Sequence, residues 1–161
     1  MTRDRVAVGL ISDTHGLFRP EITSVFDTVD LIVHAGDVGG AAVLASLSAI
    51  APVEAVSGNV DDRRNPMLPR ERALPVGALT LHVSHGDELG RPTAEALLKR
   101  YDADIIVFGH THKPLLHRST EGRLVVNPGA AGPRRFELKP TVAILRVVDR
   151  HADIEFVPLS F

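Results

Sequence analysis

Five short apolar runs in this chain each end at a polar cluster of Asp, Asn, His and Gly. The runs are Val6–Ile11, Leu31–Val33, Val53–Val56, Leu79–Val83 and Ile105–Phe108. The clusters that follow are Asp13-Thr14-His15, Gly36-Asp37, Gly58-Asn59, His85-Gly86 and Gly109-His110-Thr111-His112. Short β-branched and aliphatic runs bounded by polar residues read as buried strands. Polar clusters at successive strand ends constrain the fold, because open α/β sheets bind ligands beyond the carboxyl ends of their strands.

The other segments fit that frame. Pro20 followed by Glu21 to Thr28 predicts a helix, with Pro in the first turn and an acid beside it. Ala41–Ile50 predicts a second helix, after Gly39-Gly40. Thr93–Tyr101 predicts a third, with Thr93 as N-cap and Glu95–Lys99 spaced i,i+4. Asp61 to Arg72, with Pro66, Pro69 and a charge cluster, reads as irregular. Leu115–Arg118 and Arg123–Val126 flank Thr120-Glu121-Gly122, and Thr141–Val148 and Asp153–Val157 flank Asp149-Arg150-His151-Ala152; both read as hairpins. The first third is parallel βαβα in pattern and the last third antiparallel. Two sheets packed face to face, with helices outside, satisfy both. A length of 161 residues fits one domain over 1–161.

Composition narrows the function. Apolar residues make up 44% of the chain, enough for a sizeable core. A net charge of −2 argues against a chain whose task is gripping nucleic acid or an anionic membrane. With no cysteine, thiol catalysis, disulfides and cysteine-held iron–sulfur clusters are excluded. Asp13 ends the first apolar run too early for a signal peptide, and Ser46, Ser48, Pro52 and Glu54 interrupt the most apolar window, so a cytoplasmic protein is expected. One Tyr and no Trp leave little for stacking single-stranded nucleic acid, which enters only as a substrate. A homo-oligomer stays open.

The clusters hold two carboxylates, one amide and four imidazoles. Side chains at i and i+2 of an extended segment point the same way, so Asp13 and His15 can grip one ion. The same holds for His110 and His112, unless a bend sends them to different ions. Nitrogen and oxygen donors without sulfur suit Mn²⁺, Fe²⁺, Co²⁺, Ni²⁺ or Zn²⁺ better than Ca²⁺ or Mg²⁺. Seven donors are too many for one tetrahedral ion. Two ions sharing a carboxylate, ~3.5–4 Å apart as in two-metal hydrolytic sites, use them better.

The order D-x-H, GD, GN, H-G, G-H-x-H resembles the calcineurin-like metallophosphoesterase superfamily. Gly58-Asn59-Val60-Asp61 and Asn127-Pro128-Gly129 make the chain similar to its small YfcE-like phosphodiesterases. The resemblance implies a four-layered α/β sandwich and a dinuclear site, with Mn²⁺ the first choice. It implies that Asp13, His15 and His112 hold one ion, that Asn59, His85 and His110 hold the other, and that Asp37 bridges them. It implies a small phosphodiester substrate, cleaved by a metal-bridging hydroxide with no protein nucleophile. Catalysis would then run through Asp37, Asn59 and His85.

One departure matters. Many members carry His directly after Gly-Asn, where it assists the leaving group; here that position is Val60. Asp61 is a poor substitute, since a carboxylate does not readily protonate an alkoxide at neutral pH. Turnover is therefore expected to depend on leaving-group acidity. His34 is a further candidate, as a group behind the site or facing substrate. His82 faces away from Leu81 and Val83, towards polar surroundings, and His117 and His151 read as surface residues. Arg63, Arg64, Arg70 and Arg72, like Arg134 and Arg135, contact either phosphate or solvent. Thr14 and Thr111 are placed to hydrogen-bond the surroundings of the ligands. The competing reading is a non-catalytic interaction scaffold of the same fold, similar to the retromer scaffold subunit, in which ligand positions can decay.

Overall fold

The computed structural model describes residues 5–134 and 137–160, so Arg135 lies outside the described residues. Ten strands and three helices follow in the order β1 (Arg5–Ile11), α1 (Ile22–Val25), β2 (Leu31–His34), α2 (Ala41–Ser48), β3 (Val53–Ala55), β4 (Glu71–Val76), β5 (Leu79–Ser84), α3 (Ala94–Arg100), β6 (Ile105–Val107), β7 (Leu115–Arg118), β8 (Leu124–Asn127), β9 (Thr141–Val148) and β10 (His151–Pro158). They form two five-stranded sheets, ordered β10-β9-β1-β2-β3 and β4-β5-β6-β8-β7. Strands β1, β2 and β3 are parallel, and so are β5, β6 and β8; the hairpin β9–β10 and the edges β4 and β7 run antiparallel. Both sheets are mixed, as expected.

Alternation within each strand builds the layers. Val8, Leu10, Val33, Leu81, Val83, Val107 and Leu145 interdigitate between the sheets. On the outer face of the first sheet, Ile11, Ile32 and Ile144 pack against Phe26 and the α2 residues Val43 and Leu47. On the outer face of the second, Ile106, Phe108 and Val125 pack against Leu97 and Tyr101. Helix, sheet, sheet, helix is the four-layered α/β sandwich. Gly9 in β1 must stay small: a Cβ there would stand 2.9 Å from the ring of buried Phe26.

Three elements depart from expectation. The first helix shrinks to four residues, Ile22–Val25, because Glu21 supplies no side-chain cap and most of the turn is β-branched. The stretch read as irregular ends in strand β4, an edge whose exposed charges and Pro75 hide its alternation. The last hairpin turns at Asp149-Arg150 alone, with Asp149 at φ 55°, so β10 begins at His151.

Candidate metal centre

The loops after β1, β2, β5 and β6 meet at one end of the sheets and continue the ladder beyond the strands. Asp13 N–H donates to Gly36 O (2.9 Å), His15 N–H to Asp37 O (3.0 Å), and Gly109 N–H to His85 O (2.9 Å). The strands are thus extended by backbone bonds that fix where their loop side chains point.

Two sets of donor atoms converge there, each within 4.8 Å: Asp13, His15 and His112, and Asp13, Asp37 and His85. Asp13 is fully buried and divides its oxygens. Oδ2 accepts from Ser12 Oγ (2.6 Å) and His110 N–H (3.2 Å). Oδ1 has no hydrogen-bond partner and faces His112 Nε2 (3.2 Å), His15 Nε2 (3.8 Å) and His85 Nε2 (3.8 Å). Asp37 repeats the pattern, with Oδ1 taking Val60 N–H (3.0 Å) and Oδ2 facing His85 Nε2 (3.2 Å) and His15 Nε2 (3.7 Å).

His85 is fully buried, and its Nδ1 lies 2.8 Å from Ala35 O. A carbonyl only accepts, so Nδ1 carries a proton and Nε2 is the nitrogen that an ion would take once its own proton is displaced, the usual orientation of a metal-ligating imidazole. Burial alone would lower the His85 pKa, but Asp37 and Asp13 outweigh it and lift it to about 9. Burial would raise the Asp13 carboxyl, yet His112, His15, His85 and Ser12 together hold it well below the carboxylate range. Asp37 is likewise lowered, with burial opposing and His85 prevailing. Two ionised, buried carboxylates beside unpartnered imidazole nitrogens are the chemistry of a cation site. Asp13 Oδ1, His15 Nε2 and His85 Nε2, all buried without partners, fit divalent ions.

The backbone shows how the residues get there. Asp13 (φ 55°), His15 (φ 48°), Asp37 (φ 55°), His110 (φ 70°) and His112 (φ 65°) are all left-handed. Asp13 and His15 therefore reach one place through a coiled loop, not an extended segment. The bend at His110 and His112 separates them: His112 joins Asp13 and His15, whereas the His110 ring stands edge-on to His85 with centroids 5.1 Å apart. Asn59 is exposed on the loop around Asp37. Gly58 must be glycine, because a Cβ would collide with Asp37 Oδ1. The resemblance implies Asp37 as the shared carboxylate; here Asp13 belongs to both sets and Asp37 Oδ2 also faces an imidazole of each.

His34 lies behind the centre and does not face substrate. It is fully buried, with Nδ1 accepting from Gly36 N–H (3.1 Å) and Nε2 bonded to Thr14 Oγ1 (2.9 Å). Burial holds it down at about 4, so it is neutral and serves as a spacer between two ligand loops. Asp61 accepts from the backbone N–H groups of Val38, Gly39 and Gly58 at 2.9–3.1 Å, stapling the Asp37 loop to the Asn59 loop. With its oxygens so engaged, it is not placed to serve the leaving group. Asn127 donates to Gly109 O and Thr111 Oγ1 (both 3.0 Å), clamping the His110–His112 loop. Arg19, which no sequence signal marked, ties the adjoining loop down through Ala131 O and Gly132 O. Of the arginines, Arg72 is bound to Ala55 O, Met67 O and Glu54, Arg63 is paired with Asp87, and Arg64 is solvated. His117 and His151 are exposed, as expected.

A sequence profile described as the calcineurin-like phosphoesterase superfamily domain matches residues 6–150. The chain belongs to that superfamily. A Methanothermobacter thermautotrophicus protein named "Probable metallophosphoesterase" is 34% identical over 160 residues, spanning 93% of this chain and 91% of its own. Among solved structures, vacuolar protein sorting 29 of Cryptosporidium parvum matches with a TM-score of 0.80 at 20% identity, over 98% of this chain and 99% of its own. The E. coli phosphoesterase YfcE matches with a TM-score of 0.63 at 19% identity, over 96% of this chain and all of its own (100%). At such identities the structural matches bear on fold. No helix among the described residues is long and apolar enough to cross a membrane.

Proposed function

We propose that this metallophosphoesterase is a phosphodiesterase working through a dinuclear centre. The observation that carries the reading is that two donor sets share unpartnered, buried Asp13 Oδ1, with unpartnered His15 Nε2 in one set and unpartnered His85 Nε2, from the loop after β5, in the other. Asp13, His15 and His112 would hold one ion, and Asp37, His85, His110 and Asn59 would serve the other. Divalent ions bound there, Mn²⁺ foremost, activate water and neutralise charge on the phosphate. The chain's own part is placement. Ser12 and the backbone of His110 and Val60 hold one oxygen of each carboxylate, leaving the other for the ions. Ala35 O fixes the His85 ring. Neither residue after Asn59 is suited to protonate the leaving oxygen, since Val60 is apolar and 57% exposed and Asp61 is tied to backbone amides. That favours diesters with acidic leaving groups. Rates across substituted phenyl diesters are expected to rise steeply as leaving-group pKa falls; a flat series would contradict this.

The scaffold reading rests on architecture shared with vacuolar protein sorting 29. Against it, every donor position here carries a competent residue. Among the described residues the exposed large apolar side chains are Leu17 and Val60 on the ligand loops and Met67 and Leu116 elsewhere. Metal-stripped protein assayed on bis(p-nitrophenyl) phosphate decides. Turnover that requires Mn²⁺ and is lost in Asp37→Ala supports the enzyme. Folded, metal-loaded protein that is inert with Mn²⁺, Ni²⁺, Co²⁺, Fe²⁺ and Zn²⁺ favours the scaffold.

A further inference from the structure

The outer face of the second sheet carries a polar pocket that the metal centre does not use. Arg63, Arg70 and Arg100 ring a cavity of about 160 Å³, closed by Tyr101, Glu71 and the short 3₁₀ turn Asp87–Leu89. That volume is well above the ~10–15 Å³ a single water requires. Its carboxylates are largely engaged: Asp87 Oδ2 pairs with Arg63 (2.6 Å), and Glu88 accepts from Gly86 N–H (3.0 Å) and Tyr101 OH (2.6 Å). Two of its three cations are not. Arg70 and Arg100 are exposed and have no carboxylate partner among the described residues; Arg100 only overhangs the Tyr101 ring at 5.6 Å.

At the cavity wall and behind Tyr101, buried groups lack partners. His82, expected in polar surroundings, is only 7% exposed and stacks on Tyr101 at 3.8 Å. Neither of its ring nitrogens is hydrogen-bonded, and Glu71 stands 3.7 Å away, beyond hydrogen-bond reach. Asp87 Oδ1 is also buried and unpartnered. Buried polar atoms left open, beside two unpaired guanidinium groups, mark a place for a ligand. The pocket adjoins the metal centre through the chain. Asp87 is two residues past His85, so their Cα atoms lie within ~7 Å, and Arg63 follows Asn59 on the same loop.

We propose that this pocket binds a second oxyanion, a phosphate or carboxylate, carried by the alcohol of the phosphodiester substrate. Arg70 and Arg100 grip it, while Asp87 Oδ1 takes a hydroxyl on the connecting carbons. The inference rests on the phosphodiesterase reading, so its test has two arms. In the first, glycerol 3-phosphate is titrated into ¹⁵N-labelled, metal-stripped protein. Shifts at Arg70, Arg100 and Tyr101, weakened about tenfold in Arg70→Gln/Arg100→Gln, are expected from the loss of charge-assisted bonds. Shifts confined to residues 13–16 and 109–113, or unchanged binding by the folded double variant, would overturn the pocket. In the second arm, metal-loaded enzyme cleaves the p-nitrophenyl phosphodiesters of glycerol and of glycerol 3-phosphate. The phosphate-bearing diester is expected to have the lower KM, an advantage that the double variant loses. An unchanged KM ratio assigns the pocket to a free anion and overturns the substrate assignment. Absence of any diester cleavage also overturns that assignment, while the first arm still reports on the pocket by itself.

Discussion

Among the described residues six non-glycine positions have positive φ, and five are ligand candidates: Asp13, His15, Asp37, His110 and His112. Such conformations cost on the order of 1 kcal/mol or more each and persist only where the surroundings dictate them. Here the dictating groups are backbone bonds between loops, together with Asp61, Asn127 and His34. Asp61→Asn keeps the size but trades one acceptor oxygen for a donor amide facing N–H groups. It is expected to weaken Mn²⁺ binding about 10–100-fold, the usual effect of disturbing groups that support ligands; calorimetric titration measures it. Unchanged affinity would mean the two loops hold their geometry without the staple.

At the scale of elements, packing tolerances decide. Gly9→Ala in β1 would press a methyl group into the Phe26 ring and is expected to cost about 1–3 kcal/mol in urea unfolding, as overpacked cores do. The sequence signals worked where a strand is buried on both faces: Thr141–Val148 has the expected bounds, and the runs Leu31–Val33 and Leu79–Val83 each extend by one residue, to His34 and Ser84. Thr93 also caps α3 as expected, accepting from Ala96 N–H. Legibility fell off at edges. Strand β4 was hidden because an edge carries charge and Pro75 in place of apolar alternation, and α1 was overextended because Pro and Glu at its start did not offset its β-branched residues. The ligand types and their convergence were readable from cluster order. The mode of convergence was not, because left-handed loops leave no trace in residue spacing. Arg19, Asn127 and Asp61 bind backbone from distant segments, which only the folded chain reveals. The turn after β5 adds a pH-dependent contact. Burial would raise the Glu88 carboxyl, but Tyr101, Ser84 and the Gly86 amide hold it below its ordinary 4.5. A lowered carboxyl stabilises the fold above that value and loses the contribution as pH falls through the folded-state value. Glu88→Gln is therefore expected to flatten the acid limb of a stability–pH curve below about pH 4.5, as followed by urea midpoints; an unaltered limb would remove Glu88 from the balance.

Taken as a whole, the molecule spends its two-sheet core on carrying like-charged groups to one end. Asp13 and Asp37 are buried side by side and ionised, a repulsion that imidazolium partly offsets in the metal-free protein. Divalent ions replace that proton with more charge, so binding stabilises the native state alone, by ~2.7 kcal/mol at a hundredfold excess over Kd. The melting temperature is expected to rise with Mn²⁺ in the parent and much less in Asp37→Ala; calorimetry that finds no rise in either would count against the site. The number and position of the ions test the account most directly, by anomalous diffraction from crystals grown with Mn²⁺. Two peaks are predicted, one against Asp13, His15 and His112 and one against Asp37 and His85. A single peak, or none, with the ligand side chains ordered, would contradict the dinuclear centre.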